Sequence, residues 1–170
     1  DRSATKNEMY NRFGEYEKEV EQLISILRPT IDITLQGQQI LDSLSVHTKT
    51  DHSPVSICDL AAQTLIVKGI KEHFPNDFIL AEEDPNLQNQ EFLDLVKNLL
   101  PDGVDPSKYG NQIVSKRTDD MKRLWVIDPI DGTYDFIKNG NYAIATALLI
   151  DNQVVCSIVA WPRHQSSMTG

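Results

Sequence analysis

A short apolar run that ends in two closely spaced carboxylates constrains this chain more than any other feature. Residues 124–127 are Leu, Trp, Val and Ile, a pattern that predicts a buried strand, and D-P-I-D-G-T follows at 128–133. Two acids three residues apart at the end of a strand, Asp128 and Asp131, can turn toward one point. The backbone carbonyl of Ile130 can add a third oxygen. Hard oxygen ligands without His or Cys favour Mg²⁺ over zinc. The alternative is an Asp-rich turn that caps a helix.

The last two residues of this string have their own uses. Gly132 allows the chain to turn tightly after the acids. Thr133 places a hydroxyl beside them and is a candidate N-cap for a following helix.

Two further acidic segments lie upstream. The apolar run Phe78–Ala81 predicts a strand, and Glu82, Glu83 and Asp84 follow it directly. A buried strand would aim these acids, although a solvated acidic turn is the alternative. Asp59 is predicted to lie in the first turn of a helix over 59–74, where its simplest role is to stabilise the helix dipole by roughly 0.3–1 kcal/mol.

Read in order, these segments resemble the inositol monophosphatase family of lithium-sensitive, Mg²⁺-dependent phosphatases. The family has an acidic pair after a strand, then D-P-I-D-G-T, then a downstream W-D motif. The segments K-T-D-H-S-P-V at 49–55 and D-L-A-A-Q at 59–63 are similar to its 3′(2′),5′-bisphosphate nucleotidase branch. The resemblance covers about 49–162, without the spacer at 85–122.

The resemblance implies a set of metal ligands. Glu82, Asp128 and the Ile130 carbonyl would hold one Mg²⁺ ion, and Asp128 and Asp131 would share a second. The family uses two or three ions. The Asp of the W-D motif, which would complete the second site, does not occur in this sequence, where Trp161 is followed by Pro162.

The resemblance also implies catalytic roles. Asp59 and Thr133 would orient and deprotonate the attacking water, and Glu82 would contribute to its activation. The amides of Gly132 and Thr133, at a helix N-terminus, would receive the phosphate oxygens.

The implied activity is hydrolysis of 3′-phosphoadenosine 5′-phosphate to AMP and phosphate. Tyr134, after Thr133, is more typical of inositol polyphosphate 1-phosphatases, so an inositol phosphate is the alternative substrate. Two other hypotheses stay open: a metal- or nucleotide-binding module without catalysis, and a structural fragment of a longer chain. We expect small phosphorylated substrates, and no nucleic-acid polymer or membrane partner.

Helices first and then antiparallel strands predict an α+β fold, and the resemblance implies the layered α/β sandwich of the sugar-phosphatase type. Residues 1–170 would form the N-terminal metal-binding domain, and a C-terminal domain, absent from this chain, or a partner chain would be needed for activity. Apolar periodicity predicts a first helix, broken by Pro29, that carries Met9, Phe13 and Leu27, and a second helix over 31–44. Strands are predicted over 142–150 and 154–160, joined as a hairpin and covered on both faces.

The spacer between Pro85 and Arg123 contains a predicted helix over 91–100. A long insertion of this kind is either functional or a tolerated surface loop. Its basic pairs, 116–117 and 122–123, either face an anionic substrate or are simply solvated.

Composition excludes some classes of function. The net charge of −9 argues against binding nucleic-acid polymers, which requires basic patches. Cys58 and Cys156 show no metal-binding or disulfide pattern, so both are expected to be reduced core thiols. No apolar run approaches the ~20 residues of a membrane span, and we expect a cytoplasmic protein.

Overall fold

The computed structural model describes residues 14–44 and 54–164, excluding the side chains of 41–44, 54–56 and 87. Met9, Phe13 and the segment 49–53 therefore lie outside the described residues. The helices are α1 (Glu17–Leu44), α2 (Pro54–His73), α3 (Gln90–Leu99) and α4 (Thr133–Ile137). The strands are β1 (Phe78–Ala81), β2 (Arg123–Asp131), β3 (Ala143–Ile150) and β4 (Gln153–Ala160).

The strands form one mixed sheet in the order β1-β2-β3-β4. β1 runs parallel to β2, whereas β2, β3 and β4 pair antiparallel, with β3 and β4 joined as the predicted hairpin. Val114 extends the sheet beyond β1, because its N–H donates to the Ile79 carbonyl at 2.8 Å. Helices packed on a mixed sheet confirm the α+β class.

Helices α1 and α2 cover one face of the sheet. The core between them contains Trp125 and Ile127 of β2 together with Ile144 and Leu148 of β3, all buried. The opposite face is less covered within the described residues, where Val159 of β4 is 57% exposed. The prediction that both faces are covered is therefore wrong for this part of the chain.

Helix α1 runs through Pro29 without ending, which corrects the prediction of a break there. Pro29 is exposed, so its ring lies on the solvent side, and the apolar stripe continues across it from Leu27 to Ile33, both buried. The Thr30 hydroxyl also donates to the Ile26 carbonyl at 2.9 Å. Packing of this stripe offsets the backbone hydrogen bond that proline removes.

Two glycines allow α1 and α2 to approach closely. A Cβ atom at Gly37 of α1 would lie 2.4 Å from the Cys58 sulfur, and one at Gly69 of α2 would lie 2.5 Å from Ile26 Cγ1. Both distances are far below van der Waals contact. The close approach brings the first turns of α2 against the second half of α1.

The spacer at 85–123 is folded onto the domain. Helix α3 begins at Gln90, one residue before the prediction, with Asn89 as its N-cap. It buries Phe92, Leu93 and Val96 in a second core cluster. Arg123 pairs with Asp77 at 2.9 Å and Glu19 at 3.0 Å. Its charge is therefore used to hold β2 to α1 and to the start of β1, not to face a substrate.

Within the two described ranges, no helix has both the length and the apolar character needed to cross a membrane.

Candidate active site

A β-bulge brings Asp128 and Asp131 to the same face of the sheet. Strand β2 includes both acids, so they lie in its last residues and not after it. Asp128 pairs with Ala145 and Asp131 pairs with Ala143. The chain therefore advances three residues along β2 but only two along β3, which means that β2 has one extra residue. Side chains alternate along a strand, and without this extra residue the two acids would point to opposite faces. The bulge is what makes the pair usable as one site.

Gly132 turns the chain directly after the acids. Its φ of 94° is left-handed, a conformation that glycine adopts without steric cost, and it is the N-cap of α4. Thr133 is the first helical residue, so the option of Thr133 as the N-cap is wrong. Both residues are exposed beside Asp131, and the Phe136 N–H donates to the Gly132 carbonyl at 2.9 Å.

Asp59 lies deeper in its helix than predicted. Helix α2 begins at Pro54, which suits the first position of a helix, so Asp59 is in the second turn and its predicted first-turn place is wrong. The side chain is 8% exposed and faces the acids that end β1 and β2. Burial raises the pKa of Asp59 to about 8, and the nearby charges of Glu83, Glu82 and Asp128 add to this.

Asp59, Glu82, Glu83, Asp128 and Asp131 together form an acidic cluster. Burial raises the pKa of Asp128, and the charges of Asp131 and Glu82 raise it further. The pKa of Glu83 is also raised, by burial and then by Glu82. Among the described residues, no Lys or Arg lies within ion-pair distance of these five carboxylates. The cluster therefore concentrates negative charge that no protein cation balances there.

The donor chemistry of the cluster fits a hard divalent cation, because all its side-chain donors are carboxylate oxygens. The unbalanced charge favours the same kind of ligand. As the side chains are arranged, however, no three His, Cys, Asp or Glu residues in the described ranges converge into a metal-binding group. A cation would have to draw the carboxylates together. The buried Ile130 side chain anchors the strand in the core, and its N–H donates to Asp128.

Gln63 positions the acidic turn after β1, a role that the sequence analysis did not identify. Its side chain is buried, donates to the Glu83 carbonyl at 2.6 Å and accepts from the Glu83 N–H at 2.9 Å. Gln63 follows Asp59 by four residues, so both lie on the same face of α2. That spacing is the signal that would have linked Gln63 to the site. Glu83 likewise joins the cluster without having been assigned a role.

An open cavity of about 370 Å³ lies beside Asp131 and Gly132. It is lined by Asp131, Gly132, Asn141, Tyr142, Ala143, Trp161 and His164. Trp161 and His164 were assigned no chemistry from the sequence.

A family model and individual known proteins both match this chain. The model of the inositol monophosphatase family matches residues 16–170. A 3′(2′),5′-bisphosphate nucleotidase of Emericella nidulans is 35% identical over 76% of this chain and 43% of its own length. The 3′(2′),5′-bisphosphate nucleotidase 1 of Candida albicans is 31% identical over 86% of this chain and 46% of its own. This chain therefore spans somewhat less than half the length of these relatives.

Solved structures share the fold. The extragenic suppressor protein suhB of Bartonella henselae aligns with a TM-score of 0.55 at 15% identity, over 85% of this chain and 44% of its own. Inositol monophosphatase II of Staphylococcus aureus aligns with a TM-score of 0.52 at 20% identity, over 88% of this chain and 42% of its own. With most of its length matched by the family model and by curated relatives, this chain belongs to the inositol monophosphatase family.

Proposed function

We propose that this chain supplies the metal-binding half of a Mg²⁺-dependent phosphomonoesterase that converts 3′-phosphoadenosine 5′-phosphate to AMP and phosphate. The observation that carries the proposal is the acidic cluster, which gathers five carboxylates without a protein cation among the described residues. The names of the nucleotidase relatives support the substrate.

Glu82, Asp128, Asp131 and the Ile130 carbonyl would hold two or three Mg²⁺ ions. When bound, the ions neutralise charge on the phosphoryl oxygens and make water a better nucleophile at neutral pH. Asp128 is central to this set, because its pKa responds to both Asp131 and Glu82. Phosphoryl transfer needs charge neutralisation and positioning more than covalent catalysis, so a nucleophilic side chain is not required.

Asp59 and Thr133 would handle the water. A carboxyl group whose pKa lies near neutrality exchanges protons readily at working pH, and Asp59 fits that requirement. We assign it the proton of the attacking water, with the Thr133 hydroxyl as the orienting group. The exposed amides of Gly132 and Thr133 would receive phosphate oxygens.

The proposed reaction is hydrolysis of the 3′-phosphate ester by one water molecule. The water oxygen attacks phosphorus, the bond from phosphorus to the 3′ oxygen breaks, and the released oxygen takes up a proton as AMP leaves. Glu82, the first residue after β1, would assist activation of the water.

An inositol phosphate is the second candidate substrate. Tyr134 favours it, because this side chain follows Thr133 directly and is 69% exposed. A tyrosine there can contact a substrate ring without any change in the fold.

Phosphate release tests the proposal. The full chain is incubated with 3′-phosphoadenosine 5′-phosphate and, separately, inositol 1,4-bisphosphate, in Mg²⁺ and in EDTA. We expect Mg²⁺-dependent release from the nucleotide, abolished by Asp128→Asn, unchanged by Asp119→Asn at an exposed position, and inhibited by lithium. Near wild-type turnover by Asp128→Asn would refute the metal assignment. Release from neither substrate would mean that this chain needs a second domain or a partner chain for turnover, or that it is a binding module without catalysis.

A further inference from the structure

We propose that the cavity beside Asp131 is a nucleobase subsite, in which a flat heteroaromatic ring stacks on Trp161. This inference rests on the proposed function and deepens it, because it assigns the recognition of a nucleotide to residues of this chain.

Strand register places Trp161 at a suitable distance from the acids. Asp131 pairs with Ala143, and Ile144 pairs with Ala160, so the next residue, Trp161, falls opposite Ala143. The three residues therefore form one row across β2, β3 and the end of β4. Neighbouring strands lie about 4.8 Å apart, which puts the backbones of Asp131 and Trp161 about 10 Å apart. A nucleotide has the corresponding shape, with a phosphate at one end and a base at the other.

The far wall of the cavity is aromatic. Trp161 is 63% exposed, and the His164 ring meets it edge to face, with centroids 5.8 Å apart. Exposed aromatic rings are the surfaces on which proteins stack bases, because every base has a π-face. Asn141, on the same cavity, adds an amide that can donate to or accept from a sugar or base.

The aromatic wall is anchored to the core of the domain. Arg163, between Trp161 and His164, donates to the side chain of Asn139 and, at 3.0 Å, to Gln38 Oε1. Gln38 of α1 is 2% exposed, and its Nε2 donates to the Phe136 carbonyl at 3.0 Å and the Gly140 carbonyl at 3.1 Å. One buried amide thus holds both the segment after α4 and the turn that carries Trp161.

The floor of the cavity is anchored in the same way. The Tyr142 hydroxyl donates to Thr34 Oγ1 at 2.7 Å, and Thr34 is fully buried in α1. The cavity is therefore preorganised by two polar contacts to one helix, which lowers the ordering cost of binding a flat ring.

Binding of a base-bearing and a base-free phosphate tests the subsite. AMP and ribose 5-phosphate are titrated into the full chain in Mg²⁺ by calorimetry. We expect AMP to bind about tenfold or more tightly than ribose 5-phosphate, the gain typical of stacking on one aromatic ring. Trp161→Ala should remove this preference, and Trp161→Phe should keep most of it. Val159→Ala, 57% exposed on the same strand but outside the cavity, should change neither affinity.

Intrinsic fluorescence gives a readout that needs no variant. Trp125 is fully buried, so quenching of tryptophan emission by AMP and not by ribose 5-phosphate would report contact at Trp161. Equal affinity for the two ligands in the wild type would overturn the subsite and leave the phosphatase proposal standing. An equal loss of affinity for both ligands in Trp161→Ala would also overturn the subsite, because it would mean that Trp161 has a structural role. Binding of neither ligand would also overturn the subsite, whereas the metal-binding proposal is tested separately by Mg²⁺ binding to the acidic cluster.

Discussion

Asp59 is the residue whose chemistry the fold changes most. It is 8% exposed, its nearest charges are all negative, and its pKa is raised from an ordinary 3.8 to about 8. A carboxyl group in that state is protonated over much of the neutral range when no cation is bound. Binding of a cation at the acidic cluster would therefore release a proton from Asp59, since a nearby cation favours the charged form.

The raised pKa of Asp59 predicts that the stability of the metal-free protein depends on pH. Because the folded pKa of Asp59 lies above the unfolded one, its contribution is fully present below about pH 4 and is lost as pH rises through about 8. In EDTA, the free energy of unfolding should therefore fall between these limits. Asp59→Asn, which stays neutral, should flatten the curve and exceed the wild type at pH 9 by at least about 1 kcal/mol. Urea denaturation at several pH values measures the free energy of unfolding of the wild type and of Asp59→Asn. If the two free energies changed with pH in the same way, the raised pKa of Asp59 would be wrong.

Gln63 is the second residue with a distinctive role. Gln63→Leu removes both hydrogen bonds to the Glu83 backbone and leaves a partly buried carbonyl and N–H without this partner. We expect a loss of about 1–3 kcal/mol in the free energy of unfolding, together with weaker Mg²⁺ binding. Gln90→Ala, at an exposed position of α3, should stay within about 0.5 kcal/mol of the wild type. Unchanged Mg²⁺ affinity in Gln63→Leu would show that the acidic turn does not depend on Gln63.

The acids were predictable from the sequence because short apolar runs locate strand ends. The spacing from Asp59 places Gln63 on the same face of α2, but its hydrogen bonds were not predictable, since its partner is backbone twenty residues away and no local pattern shows which carbonyl a glutamine will reach. Arg123 shows the same limit in reverse: its sequence neighbours suggested a basic pair, whereas its partners Asp77 and Glu19 are distant in sequence.

At the level of elements, the contact between α1 and α2 has little tolerance for added volume. Gly37→Ala would place a methyl group 2.4 Å from the Cys58 sulfur in a contact that also carries Gln38 and the start of α2. We expect a loss of about 1–3 kcal/mol in the free energy of unfolding. Gly14→Ala, with no atom within 4 Å of the added carbon, is the matched control and should be neutral or slightly stabilising.

A double mutant isolates the cause. Cys58→Ala removes the sulfur, so the double mutant Gly37→Ala/Cys58→Ala should be destabilised less than the sum of the two single variants. Additive losses, measured by urea denaturation, would mean that Gly37 matters for a reason other than this contact.

Pro29 gives an element-level test of the continuous helix. Pro29 is exposed within α1, so Pro29→Ala restores a backbone N–H without disturbing buried contacts. The variant should unfold at higher temperature, with a gain of about 1–3 kcal/mol in the free energy of unfolding. A destabilised variant would indicate that the proline is needed for the local shape of α1. The break was predicted from the low helix propensity of proline alone. In the structure, packing of the apolar stripe on both sides of Pro29 offsets that cost.

The bulge in β2 is the element that sequence patterns could not reveal. The string 128–133 indicated that two acids lie near a strand end, and strand alternation alone would have separated them. Only the pairing with Ala143 and Ala145 shows that one extra residue in β2 places Asp128 and Asp131 on the same face of the sheet. Pro129, which lacks an N–H, is tolerated there because the bulge interrupts the ladder.

At the scale of the molecule, one end of the sheet gathers the functional groups. The acidic cluster, the turn at Gly132 and the cavity with Trp161 all lie where β1, β2 and β4 end and β3 begins. Helix α1 supports this end through Gln38 and Thr34, and α2 supports it through Asp59 and Gln63. The α+β class was predictable from the order of apolar patterns, whereas this convergence depends on contacts between segments distant in sequence.

Calorimetric titration of Mg²⁺ into the full chain, with Asp128→Asn as the variant and Asp119→Asn as the control, tests whether the acidic cluster is a cation site. It does not depend on turnover, so it tests the cation site alone. We predict saturable Mg²⁺ binding by the wild type and the control, and loss of that binding in Asp128→Asn, because this residue interacts with both Asp131 and Glu82. No binding by the wild type, or equal binding by Asp128→Asn, would show that the acidic cluster is not a cation site centred on Asp128.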